Sequence, residues 1–130
     1  MTPKSARDKG KNAERELAEI FGRLSGVKYR RVPMSGALHG FMDFDIMKAE
    51  SVQSVFDGIG IECKNHKKLS VPEWIEQIDV ATKDAGIPFG RWLIAFKHKG
   101  RFYYILNQQL FDDLFLAKKK AAFPLGNSGT

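Results

Sequence analysis

Two short segments near the middle of the chain are predicted strands that place charged side chains on their faces. They span 43–47 and 58–64, and apolar residues alternate with others in both. Because alternate side chains of a strand share a face, Glu62 and Lys64 are predicted on one face and Cys63 on the other. A buried carboxylate or ammonium group is unfavourable by several kcal/mol unless it is paired or binds a metal. The chain is therefore predicted to form a sheet whose central strands hold charges that need a partner.

An acid from the first segment would complete a site for a divalent cation. Carboxylate oxygens are the ligands that Mg²⁺ prefers, so an aspartate beside Glu62 predicts a magnesium site, with Lys64 placed to meet a phosphate. Asp43 and Asp45 share a strand face, so strand parity leaves both open as the ligand. The alternative is a strand end in solvent, with Glu62 and Lys64 as a plain surface pair.

Length and composition indicate one soluble globular domain. The chain has 130 residues, 43% of them hydrophobic and 28% charged, which is enough to bury a core. Because it carries neither an apolar run as long as a membrane span nor a secretory signal, we expect a cytoplasmic protein with no membrane partner. One cysteine and three histidines exclude an internal disulfide framework and argue against structural zinc.

The net charge of +6 favours a polyanionic partner, of which nucleic acid is the most common. Basic residues concentrate near the start, after the 58–64 segment and at 118–120 near the end, and three more lie in the first predicted strand. The predicted phosphate contacts are Lys9, Lys11, Arg15, Arg30, Arg31, Lys67 and Lys68. Binding through such contacts would weaken steeply with salt and would show little sequence preference.

The apolar spacing predicts a helix, three strands, a helix, two strands and a helix. Helices are expected over about 8–24, 70–85 and 107–119, and the remaining strands over 27–32, 91–97 and 102–106. We therefore expect a single domain over 1–130, with an ordered core at about 8–119 and loose ends. Its class is α/β, with a mixed central sheet of about five strands flanked by helices.

Two polar side chains on these helices need an explanation. Glu14 lies on the shoulder of the buried stripe of the first helix, whereas Glu16 and Glu19 point away from it. It either faces the site or is a first-turn glutamate favoured by the helix dipole. Gln77 precedes the buried Ile78, so it either reaches the site or is an amide at the edge of the core.

Taken in order, these features resemble the PD-(D/E)xK nuclease superfamily and, within it, the archaeal-type Holliday junction resolvases. The resemblance covers roughly 9–106 and rests on Ala13-Glu14-Arg15-Glu16-Leu17, Pro33-Met34-Ser35-Gly36, Asp45-Ile46, Ile61-Glu62-Cys63-Lys64 and the helix that carries Gln77. One departure concerns the aspartate, which a proline or a similar turn usually introduces in this family. Here the segment is Met42-Asp43-Phe44-Asp45.

The resemblance implies a restriction-endonuclease-like sheet and a homodimer that cuts paired strands of branched DNA, a four-way junction. It implies that Asp45, Glu62 and the Cys63 carbonyl hold Mg²⁺, for which Mn²⁺ can substitute, and that no small-molecule cofactor takes part. It also implies that Glu14 is a further metal-site acid, that Lys64 is the catalytic lysine and that Ser35 acts near the scissile phosphate. Two alternatives are a nuclease of the same fold acting on other DNA, of restriction or mobile-element type, and a basic DNA-binding module without catalysis.

Overall fold

The computed structural model describes residues 3–32, 44–65 and 68–122, with side chains over 9–32, 44–65 and 68–116. The elements are α1 (Pro3–Ser25), β1 (Tyr29–Arg31), β2 (Ile46–Lys48), β3 (Gly60–Lys64), α2 (Val71–Asp84), β4 (Trp92–His98), β5 (Arg101–Ile105) and α3 (Gln108–Ala122). Their order confirms the predicted succession of helices and strands. No helix within these ranges is long and apolar enough to cross a bilayer.

The five strands form one mixed sheet in the order β1-β2-β3-β4-β5. The pairs β1–β2, β2–β3 and β4–β5 are antiparallel, and β3 and β4 are parallel. A parallel pair needs a crossover connection, which α2 supplies. The expected α/β class with a restriction-endonuclease-like sheet is confirmed, and β3, the strand that carries Glu62, is its central strand.

Apolar side chains cover both faces of the sheet. On one face α1 and α3 pack on the strands, in a core whose members include Leu17, Phe21, Ile61 and Leu110. On the other face α2 packs through residues such as Trp74. Because both faces of β3 are covered, charged side chains on this strand lie close to the protein interior.

Three details at the helix ends differ from the sequence prediction. The helix α1 begins at Pro3 rather than near residue 8, because proline is well placed in a first turn and the lysine, alanine and arginine that follow are good helix formers. The sequence Ser70-Val71-Pro72-Glu73 is typical of a capping box at the start of a helix, but Ser70 makes no side-chain capping bond to α2, so this prediction is wrong. The helix α3 continues to Ala122 rather than ending at about 119, and 123–130, where a loose tail is predicted, lie outside the described residues.

A glycine at the start of β3 sets the distance between this strand and the segment that leads into β2. The Phe44 ring is 1% exposed, and a Cβ atom on Gly60 would lie 2.6 Å from a carbon of that ring. Only a residue without a side chain therefore lets Phe44 pack flat on β3. Since Asp45 follows directly, this contact also sets where its carboxylate lies.

Candidate active site

Asp45 lies immediately before β2 and is held against β3 by hydrogen bonds. Its N–H donates to the Ile61 carbonyl at 3.2 Å, and its own carbonyl accepts from the Val32 N–H at 2.8 Å. Its carboxylate oxygen Oδ2 accepts a hydrogen bond from the Cys63 N–H at 2.8 Å. The carboxylate therefore lies over β3, directly beside Glu62.

The carboxyl group of Glu62 is half-buried and hydrogen-bonded to the side chain of Asp45. Burial, the Asp45 charge and this hydrogen bond raise the pKa of Glu62 to about 9, and the Lys64 ammonium opposes them. Two adjoining carboxylates repel unless a proton or a cation compensates their charge. At neutral pH the metal-free pair therefore keeps one proton, which a divalent cation would displace.

Lys64 lies on the same face of β3 as Glu62, the face covered by α2. Its ammonium group lies 5.9 Å from the centre of the Trp74 ring, and that ring is buried on α2. An aromatic face attracts a cation and so restricts where the lysine side chain turns. Because Lys64 also lowers the pKa of Glu62, its charge lies close to the acid pair.

Glu14 approaches the acids from α1. Its Oε1 accepts a hydrogen bond from Nε of Arg31 at 3.3 Å, and the arginine and glutamate side chains are 20% and 19% exposed. Burial, and after it the Asp45 charge, raises the pKa of Glu14, whereas Arg31 lowers it. Glu14 is thus close enough to sense Asp45, and Arg31 pairs with an acid of the site.

Cys63 lies between Glu62 and Lys64 but packs against the core on the α1 side of the sheet. Burial, followed by the charges of Asp45, Glu14 and Glu62, raises the pKa of the Cys63 thiol to about 12. A thiol with so high a pKa stays protonated and is a poor nucleophile. The charges of all three acids act on this thiol. Glu14 from α1, Asp45 from the residue before β2 and Glu62 from β3 therefore all lie near Cys63.

The side chains present suit a cation that needs few protein ligands. No group of three or more His, Cys, Asp and Glu side chains within 9–32, 44–65 and 68–116 is arranged to hold a metal ion. Asp45 and Glu62 adjoin directly, and Glu14 lies near Asp45. Mg²⁺ is commonly bound through one or two carboxylates, with water and substrate phosphate at its other positions, so the pair fits Mg²⁺.

The remaining predicted site residues lie on the surface or outside the described part of the chain. Ser35, Asp43 and Lys67 are outside the described residues. Gln77 is exposed on α2. Five predicted DNA contacts are exposed side chains: Lys9, Lys11, Arg15, Arg30 and Lys68. The structure thus gathers Glu14, Asp45, Glu62 and Lys64, while these cations lie on the surface.

One cluster of residues near the acids is not predicted from the sequence, although its member Lys9 is among the predicted DNA contacts. A cavity of about 530 Å³ lies between α1 and the turn that joins β4 to β5. It is lined by Lys9, Asn12, Ala13, Asn65, Lys97, Lys99 and Gly100. These residues come from three separate stretches of the chain, so no local pattern connects them. The one available signal is the basic run from 97 to 101.

Comparison with known proteins identifies a family for the chain. No curated protein and no solved structure matches the chain. A family model described as "Phage putative PDDEXK endonuclease" matches residues 5–123. This confirms the predicted relation to the PD-(D/E)xK nuclease superfamily, whereas the closer relation to archaeal-type resolvases stays a prediction. Because the match covers nearly the whole chain and includes all four gathered site residues, the chain belongs to this family of phage PDDEXK endonucleases.

Proposed function

We propose that this endonuclease hydrolyses DNA phosphodiester bonds with Mg²⁺ bound by Asp45 and Glu62. The observation that carries the proposal is the hydrogen-bonded carboxyl pair, in which the pKa of Glu62 is far above its usual range. Residues that only pack the core would be apolar, and two adjoining carboxyl groups at the centre of a sheet would not be needed. A cation site explains why both are there.

Bound Mg²⁺ would lower the pKa of water and neutralise charge on the phosphate. Around it, the chain's own groups have separate tasks. Asp45 and Glu62 hold the ion once their shared proton is lost, and the Cys63 carbonyl is a further proposed ligand. Lys64 donates a hydrogen bond to the attacking water or to a phosphate oxygen, whose negative charge grows as water adds to phosphorus and the bridging bond breaks.

Glu14 and Arg31 support this centre from the other side of the sheet. The arginine holds the glutamate at 3.3 Å, and the charge of Glu14 reaches Asp45. We assign Glu14 the task of holding water near the ion or of joining a second ion. Ser35 and Asp43 remain candidates for contacts with the scissile phosphate and with the metal, respectively.

The metal assignment is tested by Asp45→Asn, which keeps the shape of the side chain but removes its charge. We expect cleavage of DNA in Mg²⁺ to fall by about a hundredfold or more, while DNA binding in the presence of a chelator is kept. Asp84→Asn, at the exposed end of α2, is the matched control and should cleave like the wild type. Loss of binding together with cleavage in Asp45→Asn would contradict the assignment.

For the substrate we propose a four-way DNA junction, cut symmetrically by a homodimer. The support is the order of motifs in the sequence, together with exposed aromatic surface on β5 and α3 suited to a partner subunit. A junction, a linear duplex of the same length and a single strand should be compared in Mg²⁺. Paired nicks at the branch support the proposal, and equal cutting of the duplex would instead indicate a nuclease of general or restriction type. Retention of the junction without cleavage would indicate a binding module.

A further inference from the structure

The cavity between α1 and the β4–β5 turn has the chemistry of an anion site. Lysines contribute three of its seven lining residues, and two more are asparagines whose amide groups can donate hydrogen bonds. Lys9 and Lys99 are exposed, so their charges are available to a ligand. Its volume of about 530 Å³ lies in the range of clefts that hold small ligands.

The turn presents its lysine toward this cavity through an unusual backbone conformation. Lys99 has a φ of 50° and Gly100 a φ of 78°, so both residues occupy the left-handed region of the tight turn between paired strands. For lysine this conformation is uncommon, and an asparagine or glycine would suit the turn better. The residue at the tip of the hairpin is therefore explained better by its charge than by the turn.

Lys97 is held at the wall of the cavity by contacts on two sides. Its Nζ lies 2.6 Å from Glu16 Oε2 on α1 and 5.5 Å from the centre of the Phe102 ring. The Glu16 side chain is 46% exposed, so the ion pair lies at the rim and is worth little to stability. Glu16 therefore partly neutralises a cavity that is otherwise basic.

Some residues that line the cavity are sequence neighbours of residues in the acid site. Asn65 directly follows Lys64 at the end of β3, and Ala13 directly precedes Glu14 on α1. The wall residue Lys97 follows Phe96, which pairs with Lys64 in the sheet. Because neighbouring residues of a strand face opposite sides, Lys97 lies on the α1 side of the sheet, from which Glu14 approaches, whereas Glu62 and Lys64 lie on the α2 side. The cavity therefore borders the site at the end of β3 and on its Glu14 side, where a neighbouring phosphate of a bound strand would lie.

We propose that this lysine cleft, formed by Lys9, Asn12, Asn65, Lys97 and Lys99, binds backbone phosphates of the DNA strand beside the cleavage site. This inference rests on the proposed function and adds Asn12, Asn65, Lys97 and Lys99 to the DNA-contacting residues. Contacts of this kind fix the register of the strand without reading its sequence.

The first test measures DNA binding in a chelator, where no cleavage occurs, for the wild type, Lys99→Ala and Lys9→Ala. Each variant should weaken binding by about three- to tenfold and reduce the slope of log affinity against log salt by about one. Lys83→Ala is the matched control, because this exposed lysine lines a different hollow on α2 and should leave both quantities unchanged. Equal effects in all three variants, or none in the cleft variants, would overturn the proposal.

The second test removes a negative charge beside the cleft, whereas the first test removes positive charges from it. Glu16→Gln removes the charge that pairs with Lys97 and should tighten DNA binding by about two- to fivefold. Glu19→Gln, on an exposed position of the same helix, controls for the general gain of positive charge and should tighten binding less. Unchanged or weaker binding by Glu16→Gln would remove Lys97 from the cleft.

A free nucleotide offers the same phosphate chemistry as a DNA strand, and competition distinguishes the two. Displacement of DNA by dAMP only at millimolar concentration supports a backbone site, whereas displacement at concentrations comparable to the DNA would overturn it in favour of a nucleotide ligand. Because these measurements need no cleavage, an inactive wild type that still shows the predicted losses would overturn the proposed function and leave the cleft standing.

Discussion

At the scale of single residues, the site depends on two carboxyl groups that lie closer than their charges would favour in water. Asp45 is fixed by the N–H of Cys63, so it does not move away from Glu62 to relieve the repulsion. Burial, and after it the charge of Asp45, raises the pKa of Glu62 instead. Either a proton or a divalent cation can compensate the negative charge of the two carboxylates, so the two compete for the site.

This competition predicts how the stability of the metal-free protein depends on pH. An unfolded glutamate titrates near 4.5, whereas burial raises the pKa of Glu62 in the fold to about 9. Between these values the folded state binds more protons than the unfolded state, so stability falls as pH rises across this window. Urea unfolding in a chelator at pH 5, 7 and 9 should show a decline in the wild type and a flatter profile in Glu62→Gln. An equal decline in both proteins would contradict the raised pKa.

At the scale of elements, α1 is joined to β1 by the ion pair between Glu14 and Arg31, which are both about four-fifths buried. We expect Arg31→Gln to destabilise the protein by about 1 kcal/mol, because it leaves the largely buried Glu14 without its cation. A double-mutant cycle with Glu14→Gln should show that the two losses are not additive. Additive losses in urea unfolding would show that the residues act independently and would free Arg31 for a role in DNA binding.

The contact between Phe44 and β3 makes a second prediction at this scale. Gly60→Ala would place a methyl group 2.6 Å from the Phe44 ring, so we expect a loss of about 1–3 kcal/mol in the free energy of unfolding. Cleavage should also fall, because the displaced ring precedes Asp45. Gly10→Ala is the control of opposite sign: its Cβ meets open space on α1, and alanine should stabilise the helix by roughly 0.5–1 kcal/mol.

At the scale of the whole molecule, several aromatic side chains on β5 and α3 are exposed. Tyr103 and Tyr104 are exposed on the edge strand β5, and the stacked rings of Phe111 and Phe115 are 55% and 61% exposed on α3. An apolar surface of this kind usually meets a partner, and a second copy of the chain would give the paired active sites that a four-way junction requires.

The proposed homodimer can be tested by changing the charge of this surface. Phe115→Asp should convert a dimer into a monomer, measured as a halved mass in light scattering, because a buried unpaired carboxylate opposes association. Val80→Asp is the control, since Val80 is 60% exposed on α2, which packs on the opposite face of the sheet from α3. A wild type that is monomeric at all concentrations, or dimers in both variants, would contradict the proposed interface.

The fold was largely predictable because its signals are local. Strand alternation and helical spacing each need only a few neighbouring residues, and they lead to the observed order of eight elements. The same parity places Glu62 and Lys64 together on one face of β3. By contrast, the start of α1 at Pro3 was missed, because a short polar stretch carries no periodic apolar signal.

The sequence by itself determined the mixed α/β sheet, the acid and lysine on its central strand and the membership of a nuclease family, since each follows from patterns within short stretches. The tertiary structure alone decided that Arg31 holds Glu14, that the N–H of Cys63 holds Asp45, and that lysines from α1 and from the β4–β5 turn line one cavity. These contacts join residues far apart in the chain. Side-chain distances of this kind depend on how whole elements pack, and no local pattern encodes them.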